Sequence, residues 1–158
     1  MRREKKISII IVAFMLLVSI IGCSKDEQLQ PADDEIMLMI QLDVREDIGL
    51  LILYETIDWK QTSGGISNAN KSKLEKNELL YWTDSKNDIG IEENVVDYSI
   101  VFKIITEYCD PNYENIYPEE YTVMLNELSF TAEFGRAYSI TITGDKLNGY
   151  EAVLNESA

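Results

Sequence analysis

Histidine is absent from this chain of 158 residues, cysteine occurs twice and proline three times, and 14 basic residues face 28 acids. Without histidine there is no Ser-His-Asp or Cys-His catalytic arrangement, and the usual zinc and haem sites lose their commonest ligand. A formal net charge of −14 is the opposite of the basic footprint that phosphate backbones select, so no nucleic-acid partner is expected. What is present is enough for a core. Apolar residues make up 46% of the chain and aromatic residues 9%, too many for a disordered chain and about right for one folded domain.

The N-terminus carries the most specific signal. Arg2, Arg3, Lys5 and Lys6 form a basic start, followed by Ile7 to Ile21, an apolar run interrupted only by Ser8 and Ser19. That run falls short of the roughly 20 apolar residues that span a bilayer and matches the hydrophobic region of an export signal. It ends in Ile20-Ile21-Gly22-Cys23, which resembles the lipobox of bacterial membrane lipoproteins. The resemblance implies cleavage after Gly22, where a small residue lets the backbone into the protease, and diacylation of the Cys23 thiol. The alternative is a plain membrane-anchor helix that ends in a cysteine. Two acyl chains exceed the regime of marginal, reversible membrane binding, so the partner implied first is the membrane, through the lipid on Cys23. The location implied is the cell membrane or cell surface, on the extracytoplasmic side.

Removing residues 1–22 takes away four bases and one acid, leaving 27 acids, 10 bases and a net charge of −17. Ser24 to Glu35 holds five acids, one proline and no apolar period, so residues 23–35 read as a lipidated cysteine and a solvated acidic linker. Lys25-Asp26-Glu27 also resembles the Lys-plus-acids export tag of surface lipoproteins from Bacteroidota. An ordinary acidic linker is the alternative.

From residue 36 to 158 the dominant period is two. Ile36, Leu38, Ile40, Leu42 and Val44 share one face, as do Tyr98, Ile100, Phe102, Ile104 and Thr106, and Tyr138, Ile140 and Ile142, the pattern of half-buried strands. Further strands are predicted at 49–57, 78–83, 121–125, 128–134 and 150–154. Turns are predicted at Gly64-Gly65, residues 84–88, Asp110-Pro111-Asn112, Gly135 and residues 144–149. About seven or eight strands at short spacing predict an all-β fold, an antiparallel β-sandwich. Gly135 to Tyr138 is similar to the Gly-x-x-Tyr hairpins of immunoglobulin-like modules, which implies a sandwich of that kind. Ser72 to Glu75 fits a helix capping box, and Pro118-Glu119-Glu120 a helical turn.

Candidate chemistry is thin. Cys109 sits between Glu107 and Asp110, acids that disfavour a thiolate, and reads as a small residue ending a strand. Asp110, Asn112 and Glu114 alternate oxygen ligands, but Asn115 stands where a calcium loop needs glycine and Tyr121 where it needs a bidentate glutamate. No metal, cofactor or catalytic residue is therefore assigned. Tyr113 and Tyr117, with Asp110, Asn112 and Glu114, form a candidate binding loop, since flat rings give contact area at small entropic cost. Trp59 and Trp82 are stacking platforms for the same reason, with Trp82 alternatively in the core. The expected function is non-enzymatic: a lipid-anchored cell-envelope module that binds a protein or glycan partner. Two alternatives stay open, an envelope hydrolase or accessory subunit using paired carboxylates, and a subunit or anchor of a surface filament.

Overall fold

A computed structural model describes residues 29–107, 114 and 117–155. Cys23 and the lipobox, residues 24–28 of the linker, Cys109, Asp110, Asn112 and Tyr113 lie outside the described residues. The strands are β1 (Glu35–Val44), β2 (Leu50–Ile57), β3 (Lys60–Ile66), β4 (Leu79–Ser85), β5 (Val95–Ile105), β6 (Thr122–Glu133), β7 (Arg136–Asp145) and β8 (Gly149–Leu154). One turn of α-helix, α1 (Lys86–Ile89), follows β4, and a 3-10 turn over Glu119–Tyr121 precedes β6.

The strands form two four-stranded sheets, ordered β4-β1-β7-β8 and β3-β2-β5-β6. This is the expected all-β sandwich, and its core is built from the alternating faces named above. Ile36, Leu38, Ile40 and Leu42 of β1 are fully buried, as are Ile100, Phe102 and Ile104 of β5 and Ile140 and Ile142 of β7. Neighbouring strands are antiparallel, with one exception: β1 and β7 run parallel over Ile36–Val44. In immunoglobulin domains the first two strands share a sheet. Here β1 and β2 lie in opposite sheets, so the likeness to those modules stops at the sandwich.

Three features differ from expectation. Gly64-Gly65 is not a turn but the middle of β3, an edge strand whose residues are mostly exposed and so lack the apolar alternation that marks a half-buried strand. The segments 121–125 and 128–134 are one strand, β6, broken in pattern by a bulge. Register jumps from Val101↔Glu127 to Lys103↔Met124, setting Leu125 and Asn126 against a single residue of β5. The bulge turns Asn126 outward to exchange two hydrogen bonds with the backbone of Ala152 on β8, 2.9 and 3.0 Å, which ties the sheets at one edge. The capping box at Ser72 opens no helix. Leu74 instead bridges Ile48 through both backbone bonds, 2.8 and 3.1 Å, and a single buried leucine gives a helix no face to dock.

Strand register sorts the loops to two ends. Residues 29–34, the β2–β3 turn, the 86–94 segment and the β6–β7 turn share one end. Residues 45–49, 67–78, 106–107, 117–121 and the β7–β8 turn share the other.

Candidate functional site

The first end carries a cleft of about 720 Å3 between the edges of β3 and β4, where the two sheets part. Its rim is Trp59, which stands on the two-residue turn between Ile57 and Lys60 and is 79% exposed. Tight turns favour Gly, Asn, Asp and Pro. A tryptophan gains nothing there from packing, so its presence is not explained by the fold.

The turn is braced from both sides. Asp58, at φ 54°, donates its N–H to Asp97 O at 2.7 Å and accepts the Asp97 N–H on Oδ1 at 2.8 Å. Lys60 Nζ donates to Ile89 O and Gly90 O at 2.5 Å each and lies 4.9 Å from the centre of the Trp59 ring. Gly90 ends α1 in the left-handed region, φ 70°, and a Cβ there would also meet the Lys60 ammonium at 2.8 Å. The helical turn is capped at its start by Ser85, which accepts the Asp88 N–H and donates to Asp88 Oδ2 at 2.8 Å. One cation thus fixes the hairpin tip, the glycine turn and one side of the indole. Gln61, Thr62 and Ser63 of β3 line the cleft, and Trp82, Thr83 and Asp84 of β4 lie opposite.

Trp82 is half-buried and packs against the core, so it joins the two readings made for it: a core residue that also floors the cleft. Its ring occupies the space above Gly64, where any Cβ would overlap it.

Behind Asp84 lies a polar cluster that was not foreseen. Tyr98 of β5, 1% exposed, places its hydroxyl against Glu55 Oε1 of β2 and 2.6 Å from Asp84 Oδ2. Glu55 is 2% exposed and Asp84 7%. A hydroxyl brings one proton; it can donate to one carboxyl, and must then receive from the other. One of the two acids therefore carries a proton. Burial pushes the Glu55 carboxyl up to about 8, and the Asp84 charge adds to that while the Tyr98 hydrogen bond opposes it. Burial raises Asp84 as well, and raises the Tyr98 phenol far above its ordinary value. Glu55 Oε2 and Trp82 Nε1 are buried without a hydrogen-bond partner of good geometry, although the indole N–H is near enough to favour the ionised form of both acids. Phe130 stacks on Tyr98 at 5.1 Å between centroids and meets Tyr138 at 5.0 Å, closing the cluster from the side.

The sequence held a signal for this cluster. Glu55 has the parity of Leu51, Leu53 and Ile57, and Asp84 that of Leu80 and Trp82, so both acids fall on inward positions.

Of the candidate binding loop, the described members are Glu114, which is exposed, and Tyr117, which is half-buried with the Lys103 ammonium 5.7 Å from its ring. Both belong to the end opposite Trp59, so these two residues and the tryptophan rim do not form one site. At that far end Glu107 joins Lys73 and Lys146, and these two lysines hold its carboxyl at about 2.

No protein-family model matches the chain, and no curated protein matches it in sequence. Solved structures with some likeness to it include a non-hemolytic pneumolysin from Streptococcus pneumoniae strain ST306, at 13% identity and a TM-score of 0.38. Listeriolysin O, at 8% and 0.40, and the membrane-binding domain of pneumolysin, at 11% and 0.35, are others. In each case 78% of this chain is covered, against 24%, 23% and 96% of the respective neighbour. The chain spans about a quarter of the length of the first two of these and nearly all of the isolated domain.

Proposed function

We propose that this chain is a lipid-anchored protein of the bacterial cell envelope whose sandwich acts by contact, as a non-enzymatic binding module, through the cleft at the Trp59 end. The observation that carries the contact reading is Trp59 itself: a large ring 79% exposed, on a turn braced by Asp97 and Lys60. Leaving that area in water is unfavourable for folding, whereas a rigid, exposed ring is suited to anchor an interface. The anchor reading rests on the order of basic start, apolar run and Gly22-Cys23.

A second reading, hydrolysis by paired carboxylates, draws on Glu55 and Asp84. Their geometry counts against it. The Tyr98 hydroxyl is wedged between the two acids, where a substrate oxygen or a water would have to sit.

Hydroxyl-radical labelling of intact cells against the purified chain tests the contact site. Trp59 should be protected in cells, and Leu147, 92% exposed at the opposite end, should not. Equal labelling of Trp59 in the two samples refutes the contact site.

A further inference from the structure

We infer that the cleft beside Trp59 takes a neutral saccharide, one apolar ring face stacked on the indole and the hydroxyls bound by Thr62 and Asp88. This rests on the cleft being the contact site and names the class of its ligand.

The class follows from what the cleft presents. Anions are disfavoured because two acids, Asp84 and Asp88, stand at the cleft against one cation, Lys60, whose N–H groups are directed to the carbonyls of Ile89 and Gly90. Cations are disfavoured at the indole, because the Lys60 ammonium already lies 4.9 Å from the ring centre and competes for the same electron-rich π system. An acyl chain needs an apolar trench, and β3 turns Lys60 and the Thr62 hydroxyl to the inward side instead, with Gln61 and Ser63 at the lip on its other face. A flat aromatic face beside neutral donors and acceptors matches a pyranose, which is apolar on one face and hydroxylated at its rim. Asp88 has Oδ2 occupied by Ser85 and keeps Oδ1 for a sugar hydroxyl. The cleft, at about 720 Å3, is within the ordinary range for small-ligand sites. The bracing of the turn limits the ordering that binding would otherwise require.

The test is a titration of the purified full chain in detergent with chitotetraose, cellotetraose, maltotetraose and mannotetraose, read by tryptophan fluorescence and by calorimetry. At least one of them should bind saturably, with Kd near or below the order of 1 mM. Trp59→Ala should weaken that binding about tenfold or more, which is the worth of one stacked ring. Trp59→Phe should restore part of it, and Leu147→Ala should leave it unchanged. Binding that ignores Trp59→Ala overturns the assignment of the site. No binding of any of the four sugars, with Trp59 still protected in intact cells, overturns the ligand class and leaves the contact site standing. No binding and no protection overturns both.

Discussion

Replacing Glu55 by glutamine should make the protein more stable at neutral pH, although it alters a buried, hydrogen-bonded residue. The ordinary glutamate value is 4.5, and in the fold Glu55 rises to about 8. Between those two pH values the folded chain keeps a proton that the unfolded chain has released. Stability therefore falls as pH rises through that window, by about 1.4 kcal/mol for each unit of pH, and levels off above about pH 8. At pH 7 the deficit from this one group is roughly 3 kcal/mol, a sizeable part of a typical domain stability of about 5–15 kcal/mol. Glutamine reproduces the protonated acid: its amide donates toward the Tyr98 hydroxyl, which then donates to Asp84. The assay is urea denaturation of wild type and Glu55→Gln at pH 4.5, 6, 7 and 8. All other titrating groups act equally on both proteins, so the difference isolates Glu55 and its partners. The two should agree at pH 4.5 and diverge to about 2–3 kcal/mol in favour of the variant at pH 7. Parallel curves over the whole range, or a variant less stable at pH 8, refute the shared proton. Tyr98→Phe supplies the contrast, since it leaves both acids without their common partner and should lower stability at every pH.

Cys23→Ala should abolish incorporation of labelled palmitate and leave an uncut precursor; normal labelling removes the lipoprotein reading. Gly64→Ala puts a methyl group into the Trp82 ring and should cost about 1–3 kcal/mol of unfolding free energy, with a change in tryptophan emission. Asn126→Ala cuts both bonds to Ala152 and should cost about 1–2 kcal/mol, seen as faster amide exchange in β8. The double variant Tyr113→Ala, Tyr117→Ala should lose no more than about 1 kcal/mol, the order of an exposed cation–π contact to Lys103; a collapse in melting temperature would place that loop in the core.

Strands that bury one face were legible from parity alone, which is why β1, β5 and β7 were read with the right residues inward. Edge strands were not. Every residue of β3 is exposed or half-buried, so hydrophobicity leaves no mark on it, and its paired glycines look like a turn until Trp82 is seen above Gly64. The bulge in β6 was visible only as an interruption at Asn126-Glu127, since one sequence cannot show that a polar side chain there is turned toward another sheet. Trp59 was singled out as a ring, but its site depends on Lys60, Ile89 and Gly90, brought together by tertiary packing. The Glu55–Tyr98–Asp84 cluster was legible in part. Parity puts both acids inward, yet that they meet across the two sheets follows only from stacking β4 against β2.

The chain enters the sandwich at the Trp59 end: Asp34 O accepts the N–H of Lys86, the first residue of α1, at 2.9 Å, and Glu35 opens β1 opposite Ser85. With Cys23 acylated as proposed, that entry point has a fixed leash, because the residues from Cys23 to Glu35 extend at most about 40 Å. The cleft would then look back toward the lipid surface instead of out into the medium. Asp33, Asp34, Asp58 and Asp97 ring the same end and are repelled by anionic head groups, over a screening distance of about 8 Å at physiological salt. The gap between cleft and bilayer would be bounded above by the leash and below by this repulsion, widening as salt is diluted. A partner would have to enter that slot from the side or be rooted in the same membrane, which makes the height of a glycan above the lipid as much a criterion of recognition as its chemistry.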